Sequence, residues 1–252
     1  MTVLSDAQIR FFKERGHLVV RDFFAPTEVS ALPKWIDDIC QLPLEKGKQM
    51  VYLEEKETTA GKRPINRIEK FVDVHARMNA FLRDSDLPRC VGQLLGEPVV
   101  LFKEKVNFQP AGGGGIAAHQ DVQAGWLTYA KEFISVAVTI DESTLQNGCT
   151  EIDMNWRSGG LIGNLWEPLS EKELTQLKFE GVPTKLGDVI FFDGFVPHRA
   201  PKNGSNHQRR IMFVTYNAAS QGDHREKYYA DKRASYPPDN ERDPNKEYRF
   251  RV

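Results

Sequence analysis

With 252 residues and 34 Lys plus Arg against 35 Asp plus Glu, the chain is of single-domain size and carries a formal charge of -1. That length buries a core without disulfide or metal staples, and the charge balance gives no reason to expect nucleic acid or an anionic membrane as partner. Cys40, Cys90 and Cys149 form no Cys-x-x-Cys pair, the N-terminal residues lack a basic-then-apolar leader pattern, and no run approaches about 18 apolar residues, so zinc ribbons and membrane-spanning helices are excluded and a cytoplasmic setting is expected.

In chain order, Ser5 and Gln8 form a capping box for a short amphipathic helix through Phe11 and Phe12 that stops at Gly16. A strand is expected at His17–Arg21. Val29, Leu32, Trp35, Ile36 and Ile39 recur at helical spacing and predict one helix from Pro26 to about Leu42. Phe81, Leu82, Leu87, Val91 and Leu94 predict another over Asn79–Leu95. From Pro98 the texture changes to short apolar or alternating runs punctuated by Gly, Pro, Asn and Asp: Val99–Phe108, Ile134–Ile140, Val189–Phe192 and Ile211–Tyr216. Such runs are strands of a sandwich or barrel. The expected organisation is one domain with a helical flank over about 1–97, a β core over about 98–220 and a charged extension over about 221–252. Gly112–Gly115 reads as a flexible loop, and the extension as a surface segment or lid.

His119-Gln120-Asp121 follows the glycine loop. On an extended chain residues two apart share a face, so an imidazole and a carboxylate can aim at one point. Alone, the pair is weak. Its complement is Gly187-Asp188, a turn feeding the apolar strand Val189–Phe192 and then His198. Two histidines and one carboxylate occupy one face of an octahedron and leave three positions open, which suits iron that must bind an oxo-acid and then dioxygen. Arg209, eleven residues after His198, heads the strand Arg210–Val214. That strand is expected to return beside the one carrying His198, where a guanidinium can pair bidentately with the distal carboxylate of 2-oxoglutarate. Arg210, its neighbour on the strand, must then point away.

These residues resemble the phytanoyl-CoA dioxygenase superfamily of Fe(II)/2-oxoglutarate oxygenases in order and spacing: the opening helix and strand, His119-Gln120-Asp121, Asn147-Gly148-Cys149, Gly187-Asp188, His198 and Arg209. The resemblance implies a mainly β fold with flanking helices, the double-stranded β-helix or cupin-like jelly roll. It also implies iron held by His119, Asp121 and His198, the C5 carboxylate of 2-oxoglutarate held by Arg209, and Gln120 near the co-substrate. In that chemistry, 2-oxoglutarate and dioxygen give succinate and carbon dioxide while an unactivated C–H bond is hydroxylated. A carboxylate at Asp121, where related halogenases carry a small residue, favours hydroxylation. Two features depart from the family. Asn155-Trp156-Arg157-Ser158-Gly159 replaces a Pro-Gly-Ser-His turn, and Ala200 replaces a serine two residues after the distal histidine.

The tail, with Tyr228-Tyr229 and Pro237-Pro238, is similar to a bacterial branch that includes 2-aminoethylphosphonate dioxygenases, which implies a small polar or zwitterionic substrate. A larger natural product or acyl thioester is the alternative within the class, and a non-catalytic metal-binding module the alternative outside it. Arg209 distinguishes the last, since a metal-binding module needs no oxo-acid anchor. Trp126 and Tyr129 read equally as substrate-pocket wall or as core. Lys103, Lys105 and Asn107 alternate on one strand face; solvation of that face is the expectation, with Asn107 the best of the three to approach the co-substrate. His17, His75, His207 and His224 lack paired spacing and read as structural or surface groups. Monomer and homo-oligomer stay open.

Overall fold

The computed structural model describes residues 3–55, 61, 63–157 and 159–248. The chain runs from α1 (Asp6–Arg15) into β1 (His17–Val20), then α2 (Pro26–Val29) and α3 (Leu32–Gln41). β2 (Met50–Leu53), β3 (Ile65–Glu69), α4 (Ala76–Asp84) and α5 (Asp86–Leu95) follow. The β-rich part comprises β4 (Val99–Gln109), β5 (Ile116–His119), β6 (Phe133–Thr139) and β7 (Glu151–Asp153), then α6 (Glu171–Leu174), β8 (Phe179–Gly181), β9 (Val189–Asp193), β10 (His198–Ala200) and β11 (Arg209–Ala218). The chain closes with α7 (Arg225–Ser235) and a short turn of 3-10 helix, Asp239–Glu241.

Among the described residues the named strands pair antiparallel in two sheets, one of seven strands ordered β1-β9-β6-β11-β4-β3-β2 and one of four ordered β5-β10-β7-β8. This is the jelly roll, and its two faces differ in chemistry. The outer face of the large sheet carries Leu101, Val106, Met212, Val214 and Tyr216, which bury against α3, α4 and α5 in the main apolar core. The inner face faces the small sheet and carries the polar alternates of the same strands. Register places Lys103 opposite Thr215, Lys105 opposite Phe213, Asn107 opposite Ile211 and Gln109 opposite Arg209.

Several expectations need revision. The single helix predicted from Pro26 breaks because Pro33 sits in the first turn of α3, where it cannot donate to the preceding turn and its ring crowds that turn's carbonyl. The helix predicted over Asn79–Leu95 breaks at Ser85, whose extended backbone ends α4 and whose hydroxyl accepts from Leu87 N at 3.3 Å to cap α5. The first 97 residues are not only a helical flank: β1, β2 and β3 extend both edges of the large sheet. The glycine loop is pinned rather than loose. Asn203 N donates to Gly113 O and Gln109 Nε2 to Gly114 O, and a Cβ on Gly115 would stand 2.5 Å from Ala200 O, so this glycine serves close backbone approach.

Nor is the C-terminal extension a surface appendage. In α7, Arg225 and Tyr229 are 3% and 0% exposed. Arg225 donates through Nε and Nη2 to both oxygens of the fully buried Glu104, and through Nη1 to Asp73. None of the described helices is long and apolar enough to cross a membrane. Removing one partner of a buried ion pair leaves the other charge uncompensated, at a cost of about 3–5 kcal/mol. Arg225→Ala is therefore expected to lower unfolding stability by about that amount, read from the urea midpoint, and to free α7 for early proteolysis.

Candidate active site

His119 and His198 face each other across the β5–β10 ladder as directly paired residues, and their rings lie 4.4 Å apart between centroids. Each ring is oriented from behind. His119 Nδ1 donates to Ala117 O at 2.8 Å and His198 Nδ1 to Val196 O at 3.0 Å, so both Nε2 atoms carry lone pairs pointing inward. Gln120 is extended and Asp121 opens a short 3-10 turn, which brings the carboxylate to the same side as His119. Asp121 Oδ1 lies 4.0 Å from each Nε2. Ser135 Oγ on β6 donates to Asp121 Oδ2 at 2.6 Å, and Thr215 Oγ1 on β11 lies 2.9 Å from Ser135 Oγ. The three ligand atoms fall within 4.8 Å of one another and all three residues are buried.

Electrostatics favour a cation at this point. Burial, joined by the neighbouring His198, pushes His119 down to about 3, and burial lowers His198 as well. Burial raises Asp121, but His198, Lys105, His119 and the Ser135 hydrogen bond outweigh it and hold the carboxyl ionised below its usual range. Two neutral imidazoles and a carboxylate converging on one point fit ferrous iron.

Arg209 is 4% exposed on the inner face of β11. It donates to Gln109 Oε1 and, through Nε, to Asn147 O at 3.1 Å. Among the described residues no carboxylate forms an ion pair with it. Burial pushes it down only to about 10, so it stays charged. Arg210 points outward to Asp141 and Asp37. The strand carrying Arg209 does not return beside β10 as expected; it pairs with β4 and β6 in the opposite sheet.

The remaining candidates separate. Gln120 is fully occupied by backbone: its amide donates to Gly160 O at 2.8 Å and to Phe195 O, and its carbonyl accepts from Ile162 N. It braces the 160–162 loop and has no amide group left for the co-substrate. Asn107 faces inward between Ile211 and Arg67. Trp126 is 1% exposed and packs on Phe102 and Phe133, yet its ring also faces Lys103 Nζ at 5.0 Å. It is core, and it faces a lysine of the barrel interior. Tyr129 is directed to the C-terminal helix, its hydroxyl donating to Asp231 Oδ2 at 2.6 Å. His17 is buried against Arg15 O, His75 caps α4, and His224 contacts Gln221 O. Of the departing segment 155–159, Ser158 lies outside the described residues, and Trp156 is buried between the sheets.

Lys103 and Lys105 overturn the expectation of a solvated face. They point into the barrel, with Lys103 6% exposed and Lys105 pushed down to about 8 by burial and by the charge of Lys103. Beside them Glu69, 1% exposed, accepts from Arg67 Nε at 2.8 Å and from Lys232 Nζ at 2.6 Å. Sequence reasoning missed Ser135, Thr215, Arg67, Glu69 and Lys232. A serine and a threonine inside the apolar run Phe133–Thr139 are the one signal that could have found Ser135.

A jelly roll closed around an iron-type triad, with a buried arginine across the barrel, defines the class: a 2-oxoglutarate-dependent dioxygenase. The family model Phytanoyl-CoA dioxygenase (PhyH) matches residues 12–211, and the chain belongs to that family. It is 35% identical over 236 residues to a methylphosphonate hydroxylase of Gimesia maris, covering 93% of this chain and 89% of that one. To a 2-aminoethylphosphonate dioxygenase of the uncultured bacterium HF130_AEPn_1 it is 33% identical over 251 residues, covering 98% and 95%. Among solved structures, EctD from S. alaskensis with 2-oxoglutarate and 5-hydroxyectoine shares the fold at a TM-score of 0.73 and 23% identity, covering 86% of this chain and 77% of that one.

Residues that hold a ligand carboxylate in place typically change metal affinity by about 10- to 100-fold. Ser135→Ala is expected to weaken Co(II) binding by that factor with the fold retained, measured by absorbance titration of the metal-free protein. His198→Ala should abolish the tight phase altogether.

Proposed function

We propose that residues 1–252 form a single catalytic domain that hydroxylates a small organophosphonate, with His119, Asp121 and His198 holding ferrous iron and Arg209 holding the C5 carboxylate of 2-oxoglutarate. Bound there, the iron would supply the activation of dioxygen that converts 2-oxoglutarate to succinate and carbon dioxide and places the second oxygen atom in a C–H bond. The single observation that carries this reading is the set of cations on the inner sheet face, Arg209 and Lys103 buried and Lys105 half-buried, none of which forms an ion pair among the described residues. Anionic ligands account for them, a co-substrate carboxylate at Arg209 and a substrate head at the lysines. The similarity to the two phosphonate oxygenases supports the choice of head. None of the three cysteines is in a disulfide, in keeping with a cytoplasmic setting. A metal-binding module would leave Arg209 without a purpose.

The chain's own residues divide the work. The backbone carbonyls behind both histidines fix the tautomer, Ser135 fixes the carboxylate, and Arg209 orients the co-substrate so that its oxo-acid end meets the metal. Incubation with Fe(II), 2-oxoglutarate and methylphosphonate in air is expected to release succinate in step with phosphonate consumption. Absence of substrate-stimulated succinate across a panel of short phosphonates would overturn the substrate assignment. Loss of a charge-assisted bidentate pair costs roughly 2–5 kcal/mol, so Arg209→Ala should raise the apparent 2-oxoglutarate constant by about thirtyfold to several thousandfold. Arg210→Ala removes only an outward ion pair and should change it by less than about threefold. Titrations of the two variants separate the roles.

A further inference from the structure

The charges around the substrate side of the barrel carry the phosphonate reading further. Lys103 and Lys105 are alternate residues of β4 on one face, roughly 7 Å apart along the strand, close enough for both ammonium groups to reach different oxygens of one tetrahedral head. Neither makes a hydrogen bond or ion pair among the described residues. Lys103 Nζ is held over Trp126 at 5.0 Å and Tyr228 at 5.3 Å, and Lys105 Nζ over Phe213 at 5.2 Å. Aromatic faces soften the burial of an ammonium but do not neutralise it.

The surroundings add positive charge, and the carboxylates near them are already engaged. Arg67 lies over Tyr52 at 4.1 Å, and Lys232 lies 5.7 Å from Tyr52 and 5.9 Å from Tyr228. Glu69 Oε1 accepts from Arg67 and Lys232 and its Oε2 from Lys232, while Asp121 belongs to the triad and accepts from Ser135. The faces of Tyr52, Tyr228 and Trp126 that would cage a substrate ammonium are already covered by the protein's own cations.

We infer that this pocket is built for a compact dianionic head on an uncharged tail, with Lys103 and Lys105 as its head-binding residues, and that it discriminates against phosphonates bearing an ammonium group. This rests on the phosphonate reading and refines it. A dianion offsets the two unpaired lysines, whereas the zwitterion expected from the tail's resemblance brings a further cation among four where the nearby carboxylates, Glu69 and Asp121, are already engaged.

The test compares two ligands of nearly equal size that differ in one group, propylphosphonate with a terminal methyl and 2-aminoethylphosphonate with a terminal ammonium. Calorimetry of the full chain loaded with Mn(II) and 2-oxoglutarate without oxygen reads binding apart from turnover. Methylphosphonate and propylphosphonate should bind, and 2-aminoethylphosphonate at least about thirtyfold more weakly than propylphosphonate, because like charges in a buried site repel strongly. Lys103→Met and Lys105→Met should each weaken methylphosphonate by about tenfold or more while 2-oxoglutarate affinity stays within about threefold, and Lys103→Arg should retain part of the affinity. Both methionine variants should melt at or above the temperature of the ligand-free parent, since each removes an unpaired charge, buried at Lys103 and half-buried at Lys105. Equal binding of the two probes, exclusion of both while methylphosphonate binds, or undiminished affinity in both methionine variants would overturn the inference and leave the phosphonate reading standing. Failure of every phosphonate to bind would overturn both.

Discussion

Burial of charge between two sheets is the constraint on which this structure turns. The inner face of the large sheet holds Arg67, Lys103, Lys105 and Arg209, with Lys232 delivered from α7, against the carboxylates of Glu69 and Asp121. Desolvating a charge without a partner costs several kcal/mol, and the positions of neighbouring elements answer that cost. β3 supplies Glu69 beside β4. α7 folds back across the end of the barrel and places Lys232 on the same carboxylate that Arg67 contacts. Burial raises the Glu69 carboxyl, yet the charges of Lys232, Lys103 and Arg67 outweigh it and keep the group ionised. Arg209, Lys103 and Lys105 are left without an ion pair among the described residues, and an anion bound to them would add stability by mass action.

The two sheets contribute different chemistry to one point. The small sheet brings both imidazoles, paired across a ladder and held from behind by backbone carbonyls. The large sheet brings Ser135 and Thr215, which fix the carboxylate, and the cations that flank the triad. An active site assembled across a gap in this way keeps its ligand geometry only while the sheets hold their separation, and the cluster of Ile152, Trp156, Ile190, Phe192 and Val196 between them sets that separation. Close packing of this kind resists small displacements, which is what preorganised ligands require.

The extension after β11 shows how far a charged sequence misleads about exposure. Its residues read as a solvated tail, because Lys, Arg, Glu and Asp dominate. In the fold Arg225 meets Glu104, Tyr229 hydrogen-bonds to the backbone of Glu104, and Lys232 meets Glu69. Each of these partners lies more than 100 residues away in the chain, as the separations of 121, 125 and 163 show. Local composition carries no trace of such pairs.

By itself, the sequence determined the β texture from Pro98 onward, the opening capping box, the His-x-Asp and distal histidine, and the arginine after it, because these depend on period, caps and motif spacing that are local. It also determined that Arg209 and Arg210 face opposite ways, since neighbours on a strand must. Only the tertiary structure decided which face of β4 is inside. Lys103, Lys105 and Asn107 alternate just as clearly whether that face meets water or a second sheet, and the answer lies in β11 pairing with β4 and β6 and in the small sheet closing over them. The same holds for the helices that Pro33 and Ser85 divide, and for Gln120, whose amide is consumed by a loop forty residues on. Alternation is set by backbone geometry, residue by residue; the identity of what each face meets is set by contacts between distant segments, and those exist only once the chain has folded.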